Sequence, residues 1–349
     1  MKAVKWFGPK DMRMVDVEKP SPKPHEALIR VESVGVCGSD MHYYLDGHIG
    51  SARLTAPTIL GHEYAGVVEA VGLEADARLI GKRVAVEPGI PCLRCEFCRR
   101  GRYNVCCAMF FPGGPGCDGA LSEYYTVHGD FCFPVPEGMS AAVAAMIEPT
   151  AVGLHTVELA NLKPGETVAI FGLGSIGLLT SQFAKLGGAL TVYGADLLAY
   201  RVNAAGRYGV DDAFLSSREG SVEGEDAVAH ILDATGGRGV DVAFDCTNGS
   251  GGVALACMAA KPSGRVVLTG ISGEDFDPVP VGIARRRELT LQWCRRFKFN
   301  FPAAMALVRS GRIDVASLIT HSFTLDQTNE AFDLVANYAG DVIKASVDQ

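Results

Sequence analysis

At 349 residues, the chain is long enough for two domains of about 150 residues each. Apolar residues make up 48% and charged residues 21% of the sequence, which is typical of a globular protein with sizeable cores. The net charge of −8 argues against nucleic acid as the main partner, because phosphate would be repelled and no Lys/Arg stripe compensates.

The sequence indicates neither a membrane span nor a secretion signal. No apolar run reaches about 18 residues, and the N-terminus lacks the apolar core of a signal peptide. We therefore expect a cytoplasmic protein with no membrane partner. In that reducing compartment, the 11 cysteines are expected to be metal ligands or free thiols rather than disulfides.

β-rich patterns dominate the first part of the chain. Residues 1–30 alternate apolar and polar side chains between prolines, which predicts short strands and turns. Residues 27–34 are a strand candidate that leads directly into Cys37, and residues 64–71 and 82–86 are two further candidates. We expect an all-β body that carries its functional side chains on loops.

Three side chains of types that bind zinc lie close together in the sequence. They are Cys37, His62 and Glu63, each near a glycine that lets the backbone bend. Three such ligands hold zinc and leave a fourth position open for water or substrate. The alternative is a buried thiol that packs as a small hydrophobe, with His62 and Glu63 as a surface pair. Glu148, at the end of an apolar run, is either a helix-boundary residue or a buried functional group.

A second cysteine cluster follows at short spacing. Four thiols in one loop can close a tetrahedral shell around zinc, which marks a structural site. Redox-active or unbound thiols are the alternatives, although the redox pattern lacks its usual βαβ context. Cys107 adjoins the last of these cysteines, and the sequence leaves open which of the two is the ligand. The predicted ligands are Cys92, Cys95, Cys98 and Cys106.

From residue 165 the pattern changes to that of a dinucleotide-binding fold. Residues 167–171 form a buried strand candidate, a glycine turn follows, and residues 176–186 have the character of a helix. In this context the glycines allow a tight turn and close approach of a pyrophosphate, which binds at the helix N-terminus. The cofactor-binding residues of this turn are Gly172, Gly174, Ser175, Ile176 and Gly177.

Asp196 ends the next strand candidate, at a distance from the glycines that suits a hydrogen bond to the adenosine ribose. A carboxylate there repels a 2′-phosphate, so NAD is favoured over NADP. Arg201 leaves NADP open as an alternative, and it is equally placed to flank the adenine. Further strand candidates at 240–245 and 265–270, alternating with helices, predict a parallel sheet covered on both faces. The predicted order is a β-rich body at 1–150, a nucleotide-binding domain at 151–281, and a return to the body at 282–349.

These motifs, in this order, resemble the zinc-dependent medium-chain alcohol dehydrogenases over essentially the whole chain. Within that superfamily, residues 37–44 and 47–50 are most similar to the sorbitol (polyol, xylitol) dehydrogenase group. The resemblance implies an α/β fold with a GroES-like β-rich catalytic domain and a Rossmann domain with a doubly wound parallel sheet. It also implies two zinc ions, one catalytic and one structural, together with NAD.

By this resemblance, Glu148 joins the catalytic zinc site directly or through water. The resemblance also implies that Ser39 and His42 pass a proton outward. The residues implied to line the substrate cleft are Tyr43, Phe111 and Arg296. Arg296 is followed by Phe297, where many polyol dehydrogenases have tyrosine, which leaves the particular polyol open.

The expected activity is reversible, NAD-dependent oxidation of a secondary hydroxyl of a polyol to the ketose. Alternatives are the same chemistry on 2,3-butanediol or L-threonine, and an NAD-binding sensor that has lost catalysis. The expected partners are a small-molecule polyol and further copies of the chain, with a tetramer favoured by resemblance.

Overall fold

The computed structural model describes residues 1–219 and 222–349. These residues form two compact units, one of Met1–Ala151 with Lys298–Gln349 and one of Val152–Phe297. Up to the unit boundary, the strands are β1 (Lys2–Gly8), β2 (Asp11–Asp16), β3 (Glu26–Gly35), β4 (His48–Ile49), β5 (Ala52–Arg53), β6 (Thr58–Ile59), β7 (Glu63–Val71), β8 (Arg83–Val86), β9 (Tyr124–His128) and β10 (Cys132–Pro134). The helices of the same part are α1 (Gly38–Asp46), α2 (Glu96–Arg99), α3 (Ala141–Ala145) and α4 (Ile147–Ala160).

Strands and helices alternate through the second unit, and the chain then returns to the first. The second unit contains β11 (Thr167–Phe171), α5 (Ser175–Leu186), β12 (Thr191–Asp196), α6 (Ala199–Ala205), β13 (Asp212–Leu215), α7 (Glu225–Ala234), β14 (Val240–Asp245), α8 (Gly252–Ala259), β15 (Ala260–Leu268), α9 (Val281–Arg286) and β16 (Thr290–Trp293). The returning segment contains α10 (Phe301–Arg309), β17 (Ile319–Thr324), α11 (Thr328–Ala336) and β18 (Lys344–Asp348).

A seven-stranded sheet is the centre of the first unit. Its strands lie in the order β10-β8-β7-β3-β18-β17, and β9 pairs with β3 as well. Buried side chains of this sheet and of α1 and α11 share one core, to which Tyr44, Tyr64 and Phe332 contribute large, fully buried rings. The β-rich body that the sequence predicts is therefore present, and the last strand of the chain lies inside its sheet.

The pairing of β3 with β7 and with β18 determines what lies at the carboxyl end of β3. β3 runs antiparallel to β7, with Gly35 opposite Glu63. It also runs antiparallel to β18, with Gly35 opposite Ser346. Residues from three distant parts of the sequence therefore meet around Gly35.

The second unit is built on a six-stranded parallel sheet in the order β13-β12-β11-β14-β15-β16. From β11 the chain adds strands on one side up to β13, and it then adds β14 to β16 on the other side of β11, as in the Rossmann arrangement. All six residues of β14 are buried, as expected for a central strand of a parallel sheet covered on both faces. The parallel sheet predicted from the sequence is confirmed.

The second unit is longer than the sequence indicated. A return to the body was expected at residue 282, but β16 pairs in parallel with β15 and keeps the chain in the second unit up to Phe297. The strand lies at the edge of the sheet, and three of its four residues are exposed. Because the run is not apolar, it carries little of the signal of a buried strand.

Helices of this protein are short. The longest within residues 1–219 and 222–349 is α4, at 14 residues, which contains the boundary between Ala151 and Val152. In the part of the chain that the structure describes, no helix combines the length and apolar character needed to cross a bilayer.

Candidate metal and cofactor sites

The first candidate metal site lies where β7 begins beside the end of β3. Cys37 follows β3 and directly precedes α1, while His62 directly precedes β7 and Glu63 is its first residue. One donor atom from each of the three lies within 4.8 Å of the other two. Bonds of about 2.0–2.3 Å to zinc allow donors at such separations to share one ion. The structure therefore brings the three predicted ligands together, and their types fit zinc with one position left open.

Asp40 supports this group and was overlooked in the sequence. Its Oδ1 lies 3.4 Å from His62 Nδ1, and its Oδ2 accepts a hydrogen bond of 3.1 Å from the Cys37 backbone N–H. Burial alone would lower the pKa of His62, but the negative charges of Asp40 and Cys37 outweigh it, so the pKa is raised well above its usual value. A carboxylate on one ring nitrogen leaves the other nitrogen for a metal. An acid three residues after a candidate cysteine ligand was the available signal.

The helix α1 presents the predicted proton-transfer residues beside the same group. Ser39 Oγ donates a hydrogen bond of 3.3 Å to Cys37 Sγ. His42 is half-buried one turn further along α1, on the side that Ser39 occupies. Of the predicted cleft residues, Tyr43 is buried in α1, and the Phe111 ring centroid is 5.0 Å from that of His62. Of these four predicted residues, Ser39 and Phe111 therefore contact the metal group directly, and His42 and Tyr43 lie on the same helix as Ser39.

A buried cation, not predicted from the sequence, also reaches this group. Lys344 of β18 forms an ion pair with Glu63 Oε2, although that oxygen has no partner with hydrogen-bond geometry among the described residues. Burial tends to lower the pKa of Lys344, but the charges of Glu63 and Cys37 raise it above its usual value, and Glu148 acts in the same direction. Glu148 is buried in the first turn of α4 and lies outside the group of three close donors.

The second candidate metal site is the four-cysteine loop. One sulfur from each of Cys92, Cys95, Cys98 and Cys106 lies within 4.8 Å of the others, while Cys107 is exposed and outside the group. Backbone N–H groups of Arg94 and Cys95 donate to the Cys92 sulfur and lower the pKa of that thiol to about 6. The Cys106 sulfur accepts hydrogen bonds from two further backbone N–H groups. These contacts favour the thiolate form that a metal requires, so the loop fits a closed structural site.

Glycine geometry in the turn between β11 and α5 fits a dinucleotide. Gly172 has φ of +88°, in the left-handed region, and a side chain there would meet the Cys246 carbonyl. A side chain at Gly177 would overlap the Gly172 carbonyl, so the helix packs closely on the turn. Gly174 caps α5, which begins at Ser175 and continues through Ile176. The first N–H groups of such a helix have no partner within it and suit a phosphate.

The Asp196 carboxylate stands beside this turn at the end of β12. Its Oδ2 accepts a hydrogen bond of 2.7 Å from the Leu173 N–H, and its Oδ1 accepts one of 2.9 Å from Leu198 N–H. The Arg201 Nη1 lies 3.5 Å from Oδ2 and close to Gly174. Asp196 therefore fixes the backbone of the glycine turn. The sequence did not reveal this backbone role.

Arg296 belongs to the second unit, whereas Tyr43 and Phe111 belong to the first. It is half-buried in the loop after β16 and has φ of +52°. Phe297, the departure from the usual tyrosine, is buried.

Comparison with known proteins gives consistent matches along the chain. The model of the alcohol dehydrogenase GroES-like domain matches residues 23–137, and that of the zinc-binding dehydrogenase matches residues 175–310. A sorbitol dehydrogenase of Bacillus subtilis is 34% identical, over 99% of this chain and 97% of its own.

Solved structures are similar over the full length. An alcohol dehydrogenase from Escherichia coli, in complex with NADH, has a TM-score of 0.89 at 28% identity and covers 100% of this chain and 99% of its own. The 2R,3R-butanediol dehydrogenase of Bacillus subtilis has a TM-score of 0.85 at 31% identity, with the same coverage.

Proposed function

The chain belongs to the zinc-dependent medium-chain dehydrogenases, in the sorbitol dehydrogenase group, and from this premise we propose that it oxidises a secondary hydroxyl of a polyol to the ketose with NAD. The observation that carries the proposal is the group formed by Cys37, His62 and Glu63, supported by Asp40. Its donor types suit a catalytic zinc with one open position.

The first unit, Met1–Ala151 with Lys298–Gln349, would be the catalytic domain. Zinc, when bound, supplies Lewis acidity that lowers the pKa of a coordinated hydroxyl. Ser39 would accept the hydroxyl proton, which its hydrogen bond to the Cys37 sulfur supports, and His42 would pass the proton outward. Glu148 would influence the zinc indirectly, because it lies outside the group of close donors. Within the first unit, Tyr43 and Phe111 would shape the substrate position.

The second unit would bind NAD, which accepts the hydride. The N-terminus of α5 would hold the pyrophosphate, with Gly172, Gly174 and Gly177 allowing its approach. Asp196 would bind the ribose and disfavour a 2′-phosphate. The Arg201 guanidinium already lies beside the Asp196 carboxylate, and this negative charge offsets part of the attraction of Arg201 for a phosphate.

The four-cysteine loop would hold the structural zinc. We propose Cys106 as the fourth ligand, since its sulfur is in the group and that of Cys107 is exposed. None of the 11 cysteines, all of which lie within the described residues, is in a disulfide, which supports the proposed cytoplasmic location.

A homo-oligomer is supported by apolar side chains exposed on the second unit. Phe276 is 91% exposed, Val281 72% and Trp293 59%. Trp293 lies on the edge strand β16, and such an edge readily pairs with another chain. A second copy of this chain is the proposed partner, with a tetramer as the expected assembly.

Polyols are proposed over smaller substrates because of the similarity to sorbitol dehydrogenase along 99% of the chain. The similarity to butanediol dehydrogenase keeps 2,3-butanediol as the second candidate. Phe297 lacks the hydroxyl of tyrosine, and a pocket without such a donor discriminates less sharply between substrates.

The test is reduction of NAD and of NADP with sorbitol, xylitol, galactitol, 2,3-butanediol and L-threonine, before and after removal of zinc. Zinc-dependent turnover with polyols and NAD supports the proposal. Turnover confined to butanediol or threonine would contradict the proposed substrate, and NAD binding without any turnover would favour a sensor. Cys37→Ser should abolish turnover but retain NAD binding. The matched control is Cys117→Ser, which changes another half-buried thiol that is outside both metal groups.

A further inference from the structure

Lys344 is a buried lysine whose charge the proposed reaction does not use. It is 3% exposed, and its partner Glu63 is 1% exposed. Burial of a lysine is costly unless the charge is paired. The positive charge of Lys344, in the last strand of the chain, is therefore paired with one carboxylate oxygen of Glu63, a proposed zinc ligand.

The contact depends on a glycine between the two side chains. Gly35 in β3 lies opposite Glu63 in β7 and opposite Ser346 in β18. A side chain at Gly35 would overlap Glu63 Oε2 and lie 3.1 Å from Lys344 Cε. Because Gly35 has no side chain, a gap is left beside β3, and through this gap the Lys344 side chain reaches from β18 across β3 to Glu63.

Charge at the site explains why a cation is useful there. Asp40, Glu63 and Glu148 are buried carboxylates, and Cys37 adds a thiolate when it binds metal. Four negative charges exceed the two positive charges of a divalent ion by two. Lys344 reduces that excess to one, which leaves the metal more electron-poor than its ligands alone would make it.

The two oxygens of Glu63 differ in their surroundings. Oε2 faces Lys344 and the gap at Gly35. A carboxylate with both oxygens available can bind a metal through both and fill the position that substrate needs. With Oε2 held by an ammonium, one oxygen remains for the metal. Contacts behind a ligand commonly fix its orientation in this way.

We propose that Lys344 is a positioning residue for the metal centre: it holds Glu63 Oε2, limits Glu63 to single-oxygen coordination, and so preserves the open position and the Lewis acidity of the ion. This inference rests on the proposed zinc site. The opposing explanation is that the ion pair only stabilises the sheet formed by β7, β3 and β18.

The test compares Lys344→Met with Ser346→Ala, a change at a buried position two residues along the same strand. A mild chelator first removes the more labile metal, and cobalt(II) is then added in its place. Cobalt(II) is chosen because its visible absorption is strong in four-coordinate sites and weaker in five-coordinate ones. Metal retention against the chelator, thermal unfolding with and without metal, and kcat are measured on the same preparations. Lys344→Gln, which keeps a hydrogen-bond donor but no charge, is a second variant should Lys344→Met not fold.

We expect Lys344→Met to weaken the cobalt absorption, to retain metal at least as strongly as the wild type, and to lower kcat by about 10–100-fold. Metal should also stabilise this variant more than it stabilises the wild type, because the metal-free form buries an unpaired Glu63. Ser346→Ala should match the wild type in spectrum and kcat.

An unchanged cobalt spectrum in Lys344→Met, or weaker metal retention, would overturn the inference in favour of the purely structural role. If instead the wild type itself bound no labile metal, the proposed zinc site would fail, and that outcome is distinct from failure of the inference.

Discussion

Asp40→Asn is the most direct test of how the metal group is organised. The amide has nearly the shape of the carboxylate, and its oxygen can still accept the 3.1 Å hydrogen bond from the Cys37 N–H. Its NH₂ group then faces His62 Nδ1, 3.4 Å away. An amide donor there requires Nδ1 to be the acceptor, so the imidazole carries its proton on Nε2, the nitrogen left for the metal.

The expected loss follows from that conflict. Removing the partner of a ligating histidine typically costs about 10–100-fold in metal affinity or activity, which corresponds to about 1.4–2.7 kcal/mol. Asp40 is 1% exposed, so water cannot take its place, and we expect a loss near the upper end of that range. Metal release from the first site should accelerate, and kcat/KM should fall in parallel.

The assay follows metal release into a chelator alongside NAD reduction. Asp46→Asn is the matched control, because Asp46 is an exposed acid at the other end of α1. The ion of the four-cysteine loop is an internal control and should remain bound in both variants. If Asp40→Asn released metal at the wild-type rate with unchanged kcat/KM, the role assigned to Asp40 would be wrong.

Two further predictions concern other parts of the first unit. Burial raises the pKa of Glu87 to about 7, although the hydrogen bond of 2.7 Å from the Tyr103 hydroxyl acts to lower it. The folded state therefore binds the Glu87 carboxyl proton more tightly than the unfolded state does. Because of this difference, the free energy of unfolding falls as pH rises from about 4.5 to 7. Glu87→Gln should therefore stabilise the protein above pH 7 by up to about 3 kcal/mol and change little near pH 4.5; thermal unfolding at both pH values checks this, and an equal gain at both would contradict it. Cys106→Ser should reduce zinc to about one ion per chain and lower the melting temperature, because closed zinc sites stabilise the fold. Cys107→Ser should do neither, as zinc content and thermal unfolding would show; loss of zinc in Cys107→Ser instead would reverse the ligand assignment.

What could be predicted from the sequence is what is encoded over short stretches of chain. The turn with Gly172, Gly174 and Gly177 directly follows a buried strand and directly precedes a helix, and the structure has all three features there. The four-cysteine loop is equally local, with every ligand inside one short segment. Where the pattern weakened, the prediction failed. β16 is an exposed edge strand, so the end of the second unit was expected too early.

The first metal site shows the opposite case, because its parts come from distant stretches. Residue types identified Cys37, His62 and Glu63, but only strand pairing brings Lys344 beside them. A slip of one residue between β7 and β3 would turn the Glu63 side chain to the other face of the sheet. The same slip would remove the gap at Gly35 from the path of Lys344. The register of three strands therefore determines both the ligand and the cation behind it, so the metal centre and the sheet cannot be altered independently.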